Sequence, residues 1–141
     1  LNLHVHRGER VALVGHSGSG KTTVAKLICG LFHPWSGSIE YEGISLEQLS
    51  QKDRKGALGW VDQDIFIFSG TIRENLTLWN PQVSEEAIYK ATQDACIHED
   101  ILARHGGYEA PLIEGGNNLS QGQKQRLEIA RALLSNPSLL I

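Results

Sequence analysis

Apolar and polar positions change period several times along the chain, and each change marks an element. Leu3 and Val5 alternate with His4 and His6, the pattern of a half-exposed strand. Gly8 turns the chain. Val11 to Val14 (VALV) is a short continuous apolar run, as a fully buried parallel strand requires. Val24, Leu27, Ile28 and Leu31 then repeat at i, i+3, i+4 and i+7. This predicts a helix packed on a sheet, closed by Pro34 and Gly37. Ile39 and Tyr41 predict a further strand, with a turn at Gly43. Residues 44–56 are polar, with a short helix expected near Leu46 to Leu49. Ala57 to Val61 (ALGWV) predicts a strand, and Asp62 to Phe68 a loop or irregular strand ending at Ser69-Gly70.

From Thr71 the texture becomes helical. Ser84 is placed to cap a helix whose first turn carries Glu85 and Glu86, both favourable at the positive end of the helix dipole. Ala87, Ile88, Ala91 and Ala95 form its apolar side. A glycine-rich stretch from Gly106 to Asn118 leads into a last helix with a stripe of Leu127, Ala130 and Leu134, widened by Ile129 and Leu133. Asn136-Pro137 ends it, and Ser138 to Ile141 opens another apolar strand. Strands, then helices, then a strand predict an α/β fold in which a helical segment is inserted between strands of one sheet. The expected division is a core of residues 1–69 and 137–141 and a helical subdomain of residues 70–136.

The bulk composition narrows the function. The 141 residues include 40% hydrophobic and 21% charged, globular values. A net charge of −3 argues against nucleic acid, whose binders carry a basic excess. Cys29 and Cys96 form no CxxC pair and are expected to be reduced, buried thiols. No stretch approaches the length of a membrane span, and residues 1–10 are too polar for a signal peptide. The sequons at Asn75 and Asn118 are therefore read as chance. His4 and His6 share a face but lack a third ligand, so no metal site is expected there.

One motif changes the picture. Gly15-His16-Ser17-Gly18-Ser19-Gly20-Lys21-Thr22 matches the phosphate-binding pattern G-x-x-x-x-G-K-[ST] in full. Gly15, Gly18 and Gly20 let the backbone wrap closely and aim its N–H groups inward. The helix opening near Gly20 adds its positive end. Lys21 is the expected point charge for the β- and γ-phosphates, and the Thr22 hydroxyl the expected Mg²⁺ ligand. Thr23 is a further candidate for a phosphate oxygen. No N-K-x-D base-reading motif accompanies it, which excludes the GTPase pattern; Asp53 to Gly56 is read as a polar turn.

A second motif, Leu119-Ser120-Gln121-Gly122-Gln123 followed by Lys124-Gln125-Arg126, resembles the L-S-G-G-Q signature of the ATP-binding-cassette (ABC) ATPases. Ser120 is a good N-cap, and the backbone near Gly122 opens a helix towards an anion. The resemblance covers essentially the whole chain. It implies a P-loop NTPase (RecA-like) core with an inserted α-helical signature subdomain, cut at the Walker B strand, which the resemblance places from Ser138 onward and beside VALV. It also implies ATP and Mg²⁺ as ligands, with Ser120, Gln121, Gly122 and Gln123 meeting the γ-phosphate held by a second ATPase domain. Gln121 stands where the motif's first glycine usually sits. It is expected to be tolerated where its φ is negative. Gln63 resembles the Q-loop glutamine that ligates Mg²⁺ or the attacking water, although Asp62 replaces the usual preceding proline. "FSGTIRENL", Phe68 to Leu76, resembles the exporter surface that receives a transmembrane domain, expected to dock near Phe66 to Leu76. Glu114-Gly115-Gly116 resembles the exporter X-loop.

The resemblance thus implies an ABC exporter ATPase on the cytoplasmic face of a membrane. The wording "ENLTLWNP", "GGYEAPLIEGGNNLSQGQ" and "RLEIARALL" is most similar to exporters of bacteriocins and other peptides. A soluble ABC ATPase and a nucleotide-binding module without turnover are the alternatives. By the same resemblance, Lys21 and Gln63 act in catalysis. The general base and the Mg²⁺-directed aspartate are expected beyond Ile141, and the adenine-stacking aromatic before Leu1. Purified alone, the 141 residues are therefore expected to bind ATP weakly with negligible turnover. Robust magnesium-dependent hydrolysis in a steady-state phosphate-release assay would refute this.

Overall fold

The computed structural model describes all 141 residues, with the side chains of Gln51, Lys52 and Lys55 excepted. The chain forms two compact units, residues 1–49 and 50–141. In the first, helix α1 (Lys21–Ile28) follows the glycine-rich loop, and β1 (Glu40–Tyr41) pairs antiparallel with β2 (Ile44–Ser45) about the Glu42-Gly43 turn. Leu46 is its buried apolar residue, its amide bonded to the Ile39 carbonyl.

Three expectations for this unit fail. Residues 1–14 form no strand: Leu3, Val5, Val11, Leu13 and Val14 are all exposed. An apolar run becomes a strand only where a partner takes its N–H and C=O groups, and no ladder reaches it among the described residues. Helix α1 stops at Ile28, so Leu31 falls outside the stripe and is exposed. Leu46 to Leu49 is a turn, not a helix.

The second unit opens with α2 (Gln51–Ala57), where a polar turn was expected. Ser50 caps it by accepting the Asp53 amide, which makes Asp53 to Gly56 helical. Next, β3 (Leu58–Gly59) pairs in parallel with the last strand, β6 (Leu139–Leu140). Bonds from the amides of Ser138, Ile141 and Val61 extend that ladder along ALGWV. The final strand thus pairs with ALGWV. Between them run β4 (Gly70–Thr71), α3 (Ile72–Thr77), α4 (Glu85–Asp94), α5 (His98–Leu102), β5 (Pro111–Leu112) and α6 (Gln121–Leu133), with β4 antiparallel to β5.

The caps explain the helix starts. Thr71 and Ser120 each form a reciprocal capping box, with Glu74 and Gln123 respectively, and Ser84 accepts the Ala87 amide. The apolar faces then meet in one cluster: Ile67, Ile72, Leu76, Ile88, Ile97, Ile101, Leu112, Leu127 and Ala130 are all almost fully buried. Each large aliphatic side chain so buried contributes about 1.5–3 kcal/mol. Cys96, expected to be buried, is exposed, while Cys29 is half-buried. No helix among the described residues is long and apolar enough to cross a membrane.

Two polar groups sit inside this cluster. The Thr92 hydroxyl bonds the Ile88 carbonyl and, at 2.6 Å, the Tyr108 hydroxyl, which also meets Nδ1 of His98 at 2.8 Å. Burial pushes the Tyr108 phenol up, so it stays protonated. Asn75 is fully buried. Its Oδ1 accepts the Phe68 amide at 2.9 Å, and its Nδ2 donates to the carbonyls of Phe68 and Thr71, both at 3.0 Å. A side chain so engaged offers no sequon in the folded chain. Asn75→Leu removes all three bonds and strands a partly buried amide, so a loss of about 3 kcal/mol is expected. Denaturant unfolding against the parent sequence checks it; a loss below about 1 kcal/mol would show that Asn75 is not a structural clamp.

Candidate functional site

The glycine-rich loop turns tightly before α1. The Ser19 amide reaches back to the His16 carbonyl at 3.1 Å, and Gly20 takes the N-cap position at φ 89°, a left-handed conformation that a Cβ would strain. No side chain caps this helix and its first turn holds no acid. The amides of Lys21, Thr22 and Thr23 are thus the unpaired donors at a positive helix end, which suits an anion. The Lys21 ammonium folds onto the loop, donating to the carbonyls of Gly15 and His16, both at 2.8 Å, and to Ser19 Oγ at 3.2 Å. All three ammonium protons have an acceptor, and phosphate oxygens would compete for them. Gly15, His16, Ser17, Gly18, Ser19, Gly20, Lys21, Thr22 and Thr23 are therefore brought together in one loop and helix start.

In the second unit Gln63 lies at the tip of a small turn. Asp62 Oδ1 accepts the Asp64 amide at 3.3 Å, and its Oδ2 accepts Trp60 Nε1 at 3.2 Å. Aspartate thus shapes the turn by hydrogen bonding where the resembled pattern has proline. Gln63 is exposed and makes no hydrogen bond to Ser120, Gln121, Gly122 or Gln123.

Those four residues open α6. Ser120 Oγ accepts the Gln123 amide at 3.2 Å, and Gln123 Oε1 accepts the Ser120 amide at 3.1 Å. Gln121 and Gly122 occupy exposed positions of the first turn. Gln121 is helical with negative φ, the condition under which a side chain there was expected to be tolerated. Upstream, Gly116 takes φ 64°, and a Cβ there would lie 2.9 Å from Ile67 Cγ1. Only glycine fits that approach. Lys124 Nζ pins the same stretch by donating to the Gly115 carbonyl at 2.7 Å.

The sequence profile of the ABC transporter family matches residues 1–141. The chain belongs to the ABC transporter family. Relatives of this ABC chain include the putative multidrug export ATP-binding/permease protein YgaD of Bacillus subtilis, 43% identical over 141 residues, all of this chain and 24% of that protein. The colicin V secretion/processing ATP-binding protein CvaB of Escherichia coli is 42% identical over 140 residues, 99% of this chain and 20% of that protein. A solved bacterial Atm1-family ABC exporter with ATP bound matches with a TM-score of 0.79 and 36% identity, over 89% of this chain and 22% of that one. The chain spans about a quarter of the length of the curated relatives it matches. Its fold is the α/β fold of the ABC ATPases, a P-loop NTPase fold.

Two arginines of this ABC chain make long-range contacts that no local sequence signal announces. Arg131 Nε, on α6, donates to the Asn75 carbonyl at 2.9 Å, and its Nη1 reaches the Phe66 carbonyl at 3.3 Å and Glu128 at 2.5 Å. Burial pushes the Glu128 carboxyl up, with Arg131 pulling it back, and pushes the Arg131 guanidinium down. Asn75 and Arg131 together tie the Phe66–Thr71 backbone to the signature helix. The other arginine is Arg104, whose partners lie 14 and 19 residues away.

Proposed function

We propose that this chain is the ATP-binding and hydrolysing part of an ABC exporter. The observation that carries the reading is the pair of helix starts. In one, uncapped amides sit beside Lys21. In the other, a serine-capped turn exposes Gln121 and Gly122. Both are suited to phosphate, and each lies in its own unit, which supports two different binding contributions.

In this reading the 15–23 loop wraps the phosphates of ATP, and Lys21 exchanges its internal acceptors for the β- and γ-oxygens. Ser120 to Gln123 of one copy closes over the γ-phosphate held by a second copy. The Thr22 hydroxyl and the Gln63 carboxamide are exposed oxygen donors without a hydrogen bond among the described residues, which fits a hard cation. They would hold Mg²⁺, which when bound offsets charge on the phosphate oxygens. Gln63 also orients the attacking water. Residues 1–69 and 137–141 form the RecA-like core and residues 70–136 the signature subdomain, a division that the parallel β3–β6 ladder supports. ATP bound more tightly in the closed dimer biases the transporter between two states.

A transmembrane export domain is the proposed partner, at the cytoplasmic face of the membrane. Ile72, Asn75 and Leu76 are buried, so the contact surface within the expected segment narrows to its exposed neighbours. Phe66, Phe68 and Trp79 form an edge-to-face ring stack at 4.7 and 5.6 Å, with 37% to 54% of each residue's surface in solvent. Such an apolar cluster suits a helix end from a partner. The name of the relative CvaB supports a peptide or bacteriocin cargo.

In the full-length protein, Lys21→Met is expected to cut ATP hydrolysis by roughly 100-fold, the usual effect of removing a group that stabilises transferring charge. Initial-rate phosphate release, with the variant's unfolding temperature matched to the parent's, makes the comparison. An undiminished rate would contradict the assignment.

A further inference from the structure

Arg104 follows α5, and its guanidinium reaches away from that helix to the start of another. Nη2 donates to the Asn118 carbonyl at 2.9 Å and to Gln123 Oε1 at 3.3 Å. These two acceptors flank Leu119-Ser120. The same Gln123 oxygen accepts the Ser120 amide and closes the capping box. A single oxygen is thus shared by a backbone donor and a cation. Were the carboxamide turned over, its NH₂ would face two donors and both bonds would be lost. The charge on the guanidinium strengthens its bond and so favours one orientation.

The link has a counterpart. Arg126, on α6, donates to Asp100 of α5 at 2.6 Å. The two arginines reach in opposite directions between the same pair of elements. Between them lies a small apolar crevice lined by Ile97, Ile101, Leu119 and Leu127. One such pin would leave α6 free to pivot about it; two pins across an apolar contact resist that rotation. Among the described residues no carboxylate pairs with Arg104. Its position follows from the carbonyl and carboxamide oxygens it serves, not from charge neutralisation. Its charge therefore stays beside the positive end of α6, where an anion is favoured.

We propose that Arg104 is the positioning residue of the signature turn. It fixes the Gln123 carboxamide and the Asn118 carbonyl, and through them the direction in which Ser120 and the Gln121-Gly122 backbone meet the γ-phosphate held by a second copy. This rests on the reading of the chain as an ABC ATPase.

The test uses the full-length protein, with kcat and KM for ATP from steady-state hydrolysis and nucleotide affinity from equilibrium binding of a fluorescent ATP analogue. Arg104→Met is expected to lower kcat about tenfold, as a small misplacement of a reacting group does. Nucleotide affinity, set by the separate Lys21 loop, is expected to stay within about twofold. Arg104→Lys keeps the charge but offers a less extended donor, so kcat is expected to recover to about one third of the parent value. An Arg104→Met protein that is folded and as fast as the parent overturns the proposal. So does a parallel loss of affinity and kcat, which marks general damage. If Arg104→Met does not fold, Arg104→Lys decides: a parental kcat overturns the proposal, and a lowered kcat at unchanged affinity supports it. A parent that neither binds nor hydrolyses ATP overturns the ABC ATPase reading and this proposal together, whereas an active parent beside an equally active Arg104→Met overturns this proposal alone.

Discussion

Burial of Leu127 and Ala130 on α6, in one cluster with Ile72, Leu76 and Ile88, is the contact on which the second unit depends. It fixes the rotation of α6 about its own axis, and everything polar on that helix follows. At its start the capping box presents Ser120, Gln121 and Gly122 to solvent. Towards its end Arg131 faces inward and binds the carbonyls of Asn75 and Phe66. One rigid rod thus carries the exposed, serine-capped turn at one end and the backbone of the exposed aromatic stack at the other. That is the geometry a device needs if closure on a nucleotide is to be felt at a partner surface, because packed helices shift as units.

The first unit solves a different problem. Its core is slight, with Leu46 as its buried apolar residue. Its information lies in the backbone: Gly20 in a left-handed conformation, amides without side-chain caps, and a lysine whose ammonium is already surrounded by oxygens. The loop is arranged around a cation in its own side chain, so a bound phosphate would exchange one set of oxygen acceptors for another. Internal polar satisfaction keeps such a loop ordered without a large apolar core beneath it.

Local chemistry was legible in the sequence, and long-range pairing was not. The caps at Ser84 and Ser120, the Leu127 and Ala130 positions of the α6 stripe and the helix start after the glycine-rich loop all depend on neighbours within a few positions, and all stand where spacing put them. The VALV run shows the limit. Its composition expresses a demand for burial, but a strand exists only where another strand accepts its hydrogen bonds, and no ladder reaches it among the described residues. Helix α2 was missed although Ser50 and Asp53 spell a capping signal, because polar composition was read as a turn. Helix α5 has an isoleucine at its N-cap and no side-chain cap, so nothing local announced it. Within the candidate site, residue identities came from pattern. The Asp62 turn beneath Gln63 and the reach of Arg104 to Gln123 came only from coordinates.

The central claim is that the Lys21 loop of one copy and the signature turn of another act on the same nucleotide. Cysteines placed at Ser17 and Gln121 of the full-length protein, with Cys29 and Cys96 replaced by serine, measure this directly through disulfide formation on non-reducing gels. The account predicts a crosslink between chains that appears with ATP and is lost when Lys21 is also changed to methionine. A crosslink within single chains, or one indifferent to ATP, would contradict it.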